Sequence, residues 1–131
     1  MGKITKWNDS RIKATNPGVS LPDLGVTVVQ RSDGSGTTYI FSDFMSKISP
    51  EWESTVGRGK ALLWPAGIGA KGNPGVAGTI KQTEGAVGYI GSEFAFAQKI
   101  PYAMIENSAG NYVLPTLESI RAAESGDVPA S

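Results

Sequence analysis

Histidine and cysteine are both missing from the 131 residues of this chain. Their absence removes a thiolate nucleophile, a Ser–His–Asp triad and every metal site built on His or Cys ligands. A Ser–Lys pair or a carboxylate dyad stays formally open. Charge is scarce: Asp, Glu, Lys and Arg make up 18% of the residues, with twelve acids balancing twelve bases. The bases are scattered and form no run, so the chain lacks the one-sided excess of Lys and Arg that a nucleic-acid partner demands. No apolar stretch approaches the length needed to span a bilayer. No basic, apolar, small-residue leader is read after Met1-Gly2, so an export signal is not expected within this sequence. On that ground it is either cytoplasmic or a piece of a longer protein.

What is present is an alternation of short strands and helices, which sets the class as α/β. The length fits one domain over residues 1–131, with a polar tail at 124–131 expected to fray. Asp9 reads as a helix cap, and Asn16-Pro17-Gly18 ends that turn. Val26 to Gln30 is a β-branched run and a buried strand. Ile40, Phe41, Phe44, Met45 and Ile48 then recur with helical spacing, predicting one apolar helix face. Ser49-Pro50 with Glu51 and Glu53 opens another helix. Lys60 to Trp64 is expected as a strand and Ala66 to Gly72 as a glycine-rich loop. Asn73 is expected to cap a helix that starts at Pro74 and stops at Gly85. Ala86 to Ile90 reads as a strand, and Ser92 to Gln98 as a short helix. Asn107-Ser108-Ala109-Gly110-Asn111 makes a hairpin of its flanks, and Thr116 caps a last helix.

The segment richest in chemistry is Arg31-Ser32-Asp33-Gly34-Ser35-Gly36-Thr37-Thr38, between the first strand and its helix. A helix N-terminus presents unpaired N–H groups and a partial positive charge to an anion. Gly34 and Gly36 are expected to permit a sharp bend and a close ligand approach. Ser35, Thr37 and Thr38 add hydroxyls, Arg31 offers a fork to two oxygens, and Asp33 stands two residues away to hold it. The ensemble is a socket for a small tetrahedral oxyanion. The same residues also suit a plain turn in which Ser35 or Thr37 caps the helix. Gly57-Arg58-Gly59-Lys60 and Gly69-Ala70-Lys71-Gly72 lack the spacing of nucleotide loops. Trp7, Trp52 and Trp64 are read as packing residues.

That loop resembles the phosphate-binding loop of the periplasmic substrate-binding components of bacterial phosphate-specific ABC transporters. Lys3-Ile4-Thr5-Lys6-Trp7-Asn8-Asp9, Asn16-Pro17-Gly18, Ser49-Pro50-Glu51-Trp52, Trp64-Pro65 with Gly67-Ile68-Gly69, Lys71-Gly72-Asn73, Gly88-Tyr89 and Pro115-Thr116-Leu117-Glu118 are similar to that family in order. The resemblance covers residues 2 to about 123. It implies one lobe, the second, of a two-lobe binding protein of type II, with a mixed sheet flanked by helices. It implies inorganic phosphate as ligand, held by Arg31, Ser35, the Gly36 N–H and Thr37, with Asp33 bracing Arg31. It implies no catalytic residues, metal or cofactor. The expected partners are a first lobe missing from this sequence and a transporter permease. The expected location is periplasmic or extracellular, with a membrane anchor left open for the full-length protein. The chain is thus read as an excised lobe, whose exposed sheet edge would invite dimerisation or swapping. A phosphate-ester hydrolase and a ligand-free interaction domain are the alternatives.

Overall fold

The computed structural model describes residues 1–125 and divides at Phe94 into two compact units. Of the tail expected to fray, residues 124 and 125 close the last helix, and the remainder lies outside the described residues.

The first unit begins with a short helix, α1 (Ser10–Thr15), capped by Asp9 as expected: its carboxylate accepts the Arg11 N–H. The chain then pairs Lys6 with Gly25 in an isolated antiparallel bridge. It enters β1 (Thr27–Arg31), the central strand of the unit. From β1 the chain runs through α2 (Gly36–Ile48) and α3 (Pro50–Thr55) to β2 (Ile68–Ala70), and then through α4 (Gly72–Gln82) to β3 (Ala86–Gly88). The sheet order is β2-β1-β3, and both pairings are parallel. Parallel neighbours require a crossover, which α2–α3 and α4 supply. The α/β class read from the alternation is the class observed. In such sheets ligands gather beyond the carboxyl ends of the strands, and β1 ends at Arg31.

Three expectations are corrected here. The apolar set is only partly the inward face of α2: Phe41, Phe44 and Met45 are half-buried but Ile40 is 72% and Ile48 58% exposed, while Thr38, Ser42 and Ser46 are buried. These three recur every fourth residue, forming a narrow stripe of small side chains flanked by half-buried Phe41 and Met45. The Ser42 hydroxyl accepts the Gly59 N–H at 3.1 Å and so ties the helix to the loop after α3. Close approach of a backbone selects small polar residues over large apolar ones.

Second, Lys60 to Trp64 forms no strand; its role is to lay a loop against α2, with the Lys60 carbonyl accepting the Ser35 N–H at 2.9 Å. The strand comes later, from the glycine-rich run, where β2 places Gly69 opposite Gln30. A side chain at Gly69 would press on Ser32, which explains why a run without bulky residues can be the strand here. Third, α4 begins at Gly72 with Lys71 in the cap position, and Asn73 caps nothing. Its Oδ1 accepts the Gly91 N–H instead, at 3.4 Å.

The unit is held by Val29, Val76 and Ala77 between β1 and α4, and by buried Trp52, whose Nε1 donates to the Gly57 carbonyl. Trp52 and half-buried Trp64 gather with Phe41 and Tyr89 into an aromatic cluster. Trp52 and Trp64 therefore pack, as read, while half-buried Trp7 donates its Nε1 to the Gly85 carbonyl. Helix α5 (Ser92–Ala97) carries the chain into the second unit. There β4 (Ile105–Glu106) and β5 (Tyr112–Val113) form the expected hairpin, with the Asn107 carboxamide accepting two turn amides. Thr116 caps α6 (Leu117–Ser125) by accepting the Ser119 N–H. Among the described residues no helix is long and apolar enough to cross a membrane.

Candidate anion-binding site

The strand–helix segment singled out in the sequence folds into a small, heavily hydrogen-bonded corner at the carboxyl end of β1. Arg31 is the last residue of the strand, and its side chain is 10% exposed. Asp33 grips it side-on: Nε donates to Oδ1 at 2.7 Å and Nη2 to Oδ2 at 2.8 Å. Nη1 donates to the Ser35 hydroxyl at 2.9 Å. A guanidinium has five N–H groups in a fixed fork. Three are used in these contacts, leaving one hydrogen on Nη1 and one on Nη2 for another acceptor.

Ser35 is 5% exposed and caps α2, accepting the Thr38 N–H at 3.1 Å. With Arg31 Nη1 also donating to it, both acceptor positions of the Ser35 oxygen are occupied. The hydroxyl can therefore only donate, and no acceptor among the described residues meets its hydrogen. The N–H groups of Gly36 and Thr37, in the first turn of α2, likewise meet no acceptor among the described residues, nor does the Thr37 hydroxyl. Arg31, Ser35, Gly36 and Thr37 thus bring unspent donors to one turn. The capping reading and the anion reading of Ser35 are not rivals: the oxygen caps while the hydrogen is left over.

Two details of the sequence reading change. Neither Gly34 nor Gly36 takes a left-handed φ, so neither is needed to bend the chain. What distinguishes them is room, since a Cβ at either position would meet nothing within 4 Å. Thr38 does not face outward with the other donors. It is 1% exposed, and its hydroxyl bonds to the Tyr89 phenol at 2.8 Å.

Electrostatics fixes the ionisation of the corner. The hydrogen bonds from Arg31, joined by the Gly72 N–H at 3.1 Å, hold the Asp33 carboxyl far below its ordinary range. The same bonds raise the Arg31 pKa further above its ordinary value. Asp33 already accepts from Arg31 at both oxygens and from Gly72 at one of them, and Arg31 is a permanent cation. Gly72 reaches Asp33 because φ is +72° at the start of α4, a conformation that suits glycine. Among the described residues no group of three or more carboxylates could hold a metal ion.

Two contributors escaped the sequence reading as site residues. Gly72 lies 39 positions from Asp33, and Tyr89 lies 58 from Arg31, whose backbone N–H donates to its phenol oxygen at 3.2 Å. The sequence signal for Tyr89 is the Gly88-Tyr89 motif of the family resemblance; the expected strand Ala86 to Ile90 included it, whereas β3 stops at Gly88 and leaves Tyr89 just beyond.

Residues 1–130 match the model of the PBP superfamily domain. The chain is 48% identical over 125 residues to a protein of Xylella fastidiosa named phosphate-binding protein PstS, covering 95% of this chain and 34% of that protein. A protein of the same name from Pasteurella multocida is 46% identical over 94% of this chain and 36% of its own length. One from Methanocaldococcus jannaschii is 46% identical over 95% of this chain and 34% of its own. The chain spans about a third of the length of these relatives.

Proposed function

The chain belongs to the PBP superfamily, and on that premise we propose that it binds inorganic phosphate at the carboxyl end of β1. The ligand would take the two spare Arg31 hydrogens, the Ser35 hydroxyl, the Gly36 and Thr37 amides and the Thr37 hydroxyl. The observation that carries this reading is the Ser35 oxygen, filled as an acceptor from both sides and left with a donor that nothing else meets. The relatives named as phosphate-binding proteins support the choice of anion.

In a complete protein about three times as long, this unit would be one wall of the site. The natural setting we propose is a periplasmic substrate-binding component of a phosphate importer, with a first lobe closing over the anion and a permease receiving it. The outer edges of β2 and β3 have no strand partner among the described residues. A further strand of the complete protein would pair there, and in its place a second copy can dimerise or swap. Sedimentation at rising concentration would reveal that dimer.

The hydrolase alternative gains nothing from the carboxylate beside Ser35. Asp33, the carboxylate at the site, is committed to Arg31 and Gly72 and strongly ionised. Proton abstraction from Ser35 needs a group with affinity for the proton. The unspent donors favour a ligand-binding role over a ligand-free interaction domain.

One wall leaves water on the other side, so charge-assisted bonds worth about 1.5–3 kcal/mol each are screened. Affinity is expected near millimolar, about 4 kcal/mol. Unfolding in rising phosphate tests this. A ligand at one hundred times its Kd stabilises by about 2.7 kcal/mol, and Arg31→Ala should retain only the general salting contribution. Equal stabilisation of both proteins would sink the proposal.

A further inference from the structure

We propose that Tyr89 is a positioning residue for the anion site, fixing Arg31 against the first turn of α2 without touching the ligand; this rests on the phosphate reading above. The argument begins with the ladder of β1. Thr27 donates its N–H to the Gly85 carbonyl on the β3 side, whereas the Ser32 N–H goes to the Ala70 carbonyl on the β2 side. Amides of a parallel strand alternate sides, so the Arg31 N–H points toward β3. But β3 ends at Gly88, and the last paired position is Val29 with Gly88. Arg31 therefore has an orphaned, part-buried amide at the very residue that must hold the guanidinium still.

Tyr89, the first residue beyond β3, supplies the missing acceptor with its own side chain, at 3.2 Å. Its phenol also bonds the Thr38 hydroxyl at 2.8 Å. Thr38 in turn donates its N–H to Ser35, and Ser35 accepts Nη1 of Arg31. The bonds close on themselves: Arg31 backbone, Tyr89, Thr38, Ser35, Arg31 side chain. Everything the anion would meet lies on or beside that ring, and Tyr89 is its one member from outside the strand–helix segment. The phenol is itself held, because its ring stacks on Phe41 at 4.4 Å and lies 5.8 Å from Trp64. Phe41 belongs to α2, so the stack ties the end of β3 to the helix whose N-terminus forms the site.

Tyr89→Phe keeps the ring and the stack and deletes the hydroxyl alone. Two measurements on the full chain decide the proposal. The first needs no ligand: hydrogen exchange of the Arg31 Nε–H in the free protein should accelerate in Tyr89→Phe, because the Arg31 backbone and Thr38 lose their shared partner and the ring that steadies the guanidinium through Ser35 is opened. The second is titration with inorganic phosphate, followed by amide shifts. The variant should bind about three- to tenfold more weakly, the loss of one well-placed hydrogen bond, and should cost nothing further when Arg31 is already Lys.

An equal loss in the Arg31→Lys background would overturn the proposal, since Tyr89 would then act on the fold at large. So would an unchanged Arg31 exchange rate. If wild type binds no phosphate, the phosphate reading fails on its own, and the exchange rate still decides the role of Tyr89.

Discussion

At Ser35 a single oxygen does two jobs, and the cost of losing it separates them. Ser35→Ala removes the cap of α2 and should destabilise the protein by about 0.5–2 kcal/mol. It also removes a donor and a contact that steadies Arg31, so phosphate affinity should fall by about tenfold or more, the worth of a hydrogen bond to a charged group. Denaturation and titration of the same variant measure the two effects. Asp33 makes a second prediction. Its ordinary pKa is 3.8, and the folded value lies far below. For a carboxyl depressed in this way, the stabilisation is fully present above the ordinary value and is lost only as pH falls through the folded one. The Asp33 carboxyl carbon should thus keep its ionised chemical shift at pH 3, where exposed carboxylates are largely protonated. A midpoint near 4 would mean that the Arg31 pair does not hold in solution. The Arg31–Asp33 and Ser35–Thr38 contacts span two and three residues, and spacing alone suggested them. Tyr89 and Gly72 reach the site across the sheet, and no local pattern announces a bond that depends on where β3 ends and α4 begins.

The elements show why periodicity misleads where backbones come close. Helix α2 has a legible apolar face, yet its most buried residues are Thr38, Ser42 and Ser46. Removing the Ser42 hydroxyl strands the Gly59 N–H, and Ser42→Ala should cost about 1–3 kcal/mol, the penalty of an unpaired buried donor. Ile40→Ser, on the exposed face, should stay within about 0.5 kcal/mol. Chemical denaturation of the pair compares the two faces directly, and the reverse ranking would restore the apolar-face reading. Glycine misled similarly in β2, where a run that reads as a loop is a strand because Gly69 lets it lie against Ser32. Capped helix starts, by contrast, were readable at Asp9, Ser49 and Thr116, since a cap is a bond between near neighbours.

For the whole molecule, the α/β class followed from alternation and the family from the order of short motifs, while the sheet order β2-β1-β3 needed coordinates. A wall made of donors sees charge and size but not the ligand's proton. Discriminating hydrogen phosphate from sulfate requires a free acceptor, and Asp33, the carboxylate at this corner, is already engaged by Arg31 at both oxygens and by Gly72. Competition between the two anions should show less than about tenfold preference, or 1.4 kcal/mol. A larger preference would require another acceptor facing the anion.

The most direct test is a titration of the labelled chain with inorganic phosphate, following every backbone amide and the Arg31 Nε–H. The Gly36 and Thr37 amides and the Arg31 signal should move together and saturate near millimolar, and the two amides should stay still in Arg31→Ala. Saturable shifts centred elsewhere, or a response at Gly36 and Thr37 that survives the loss of Arg31, would contradict the account.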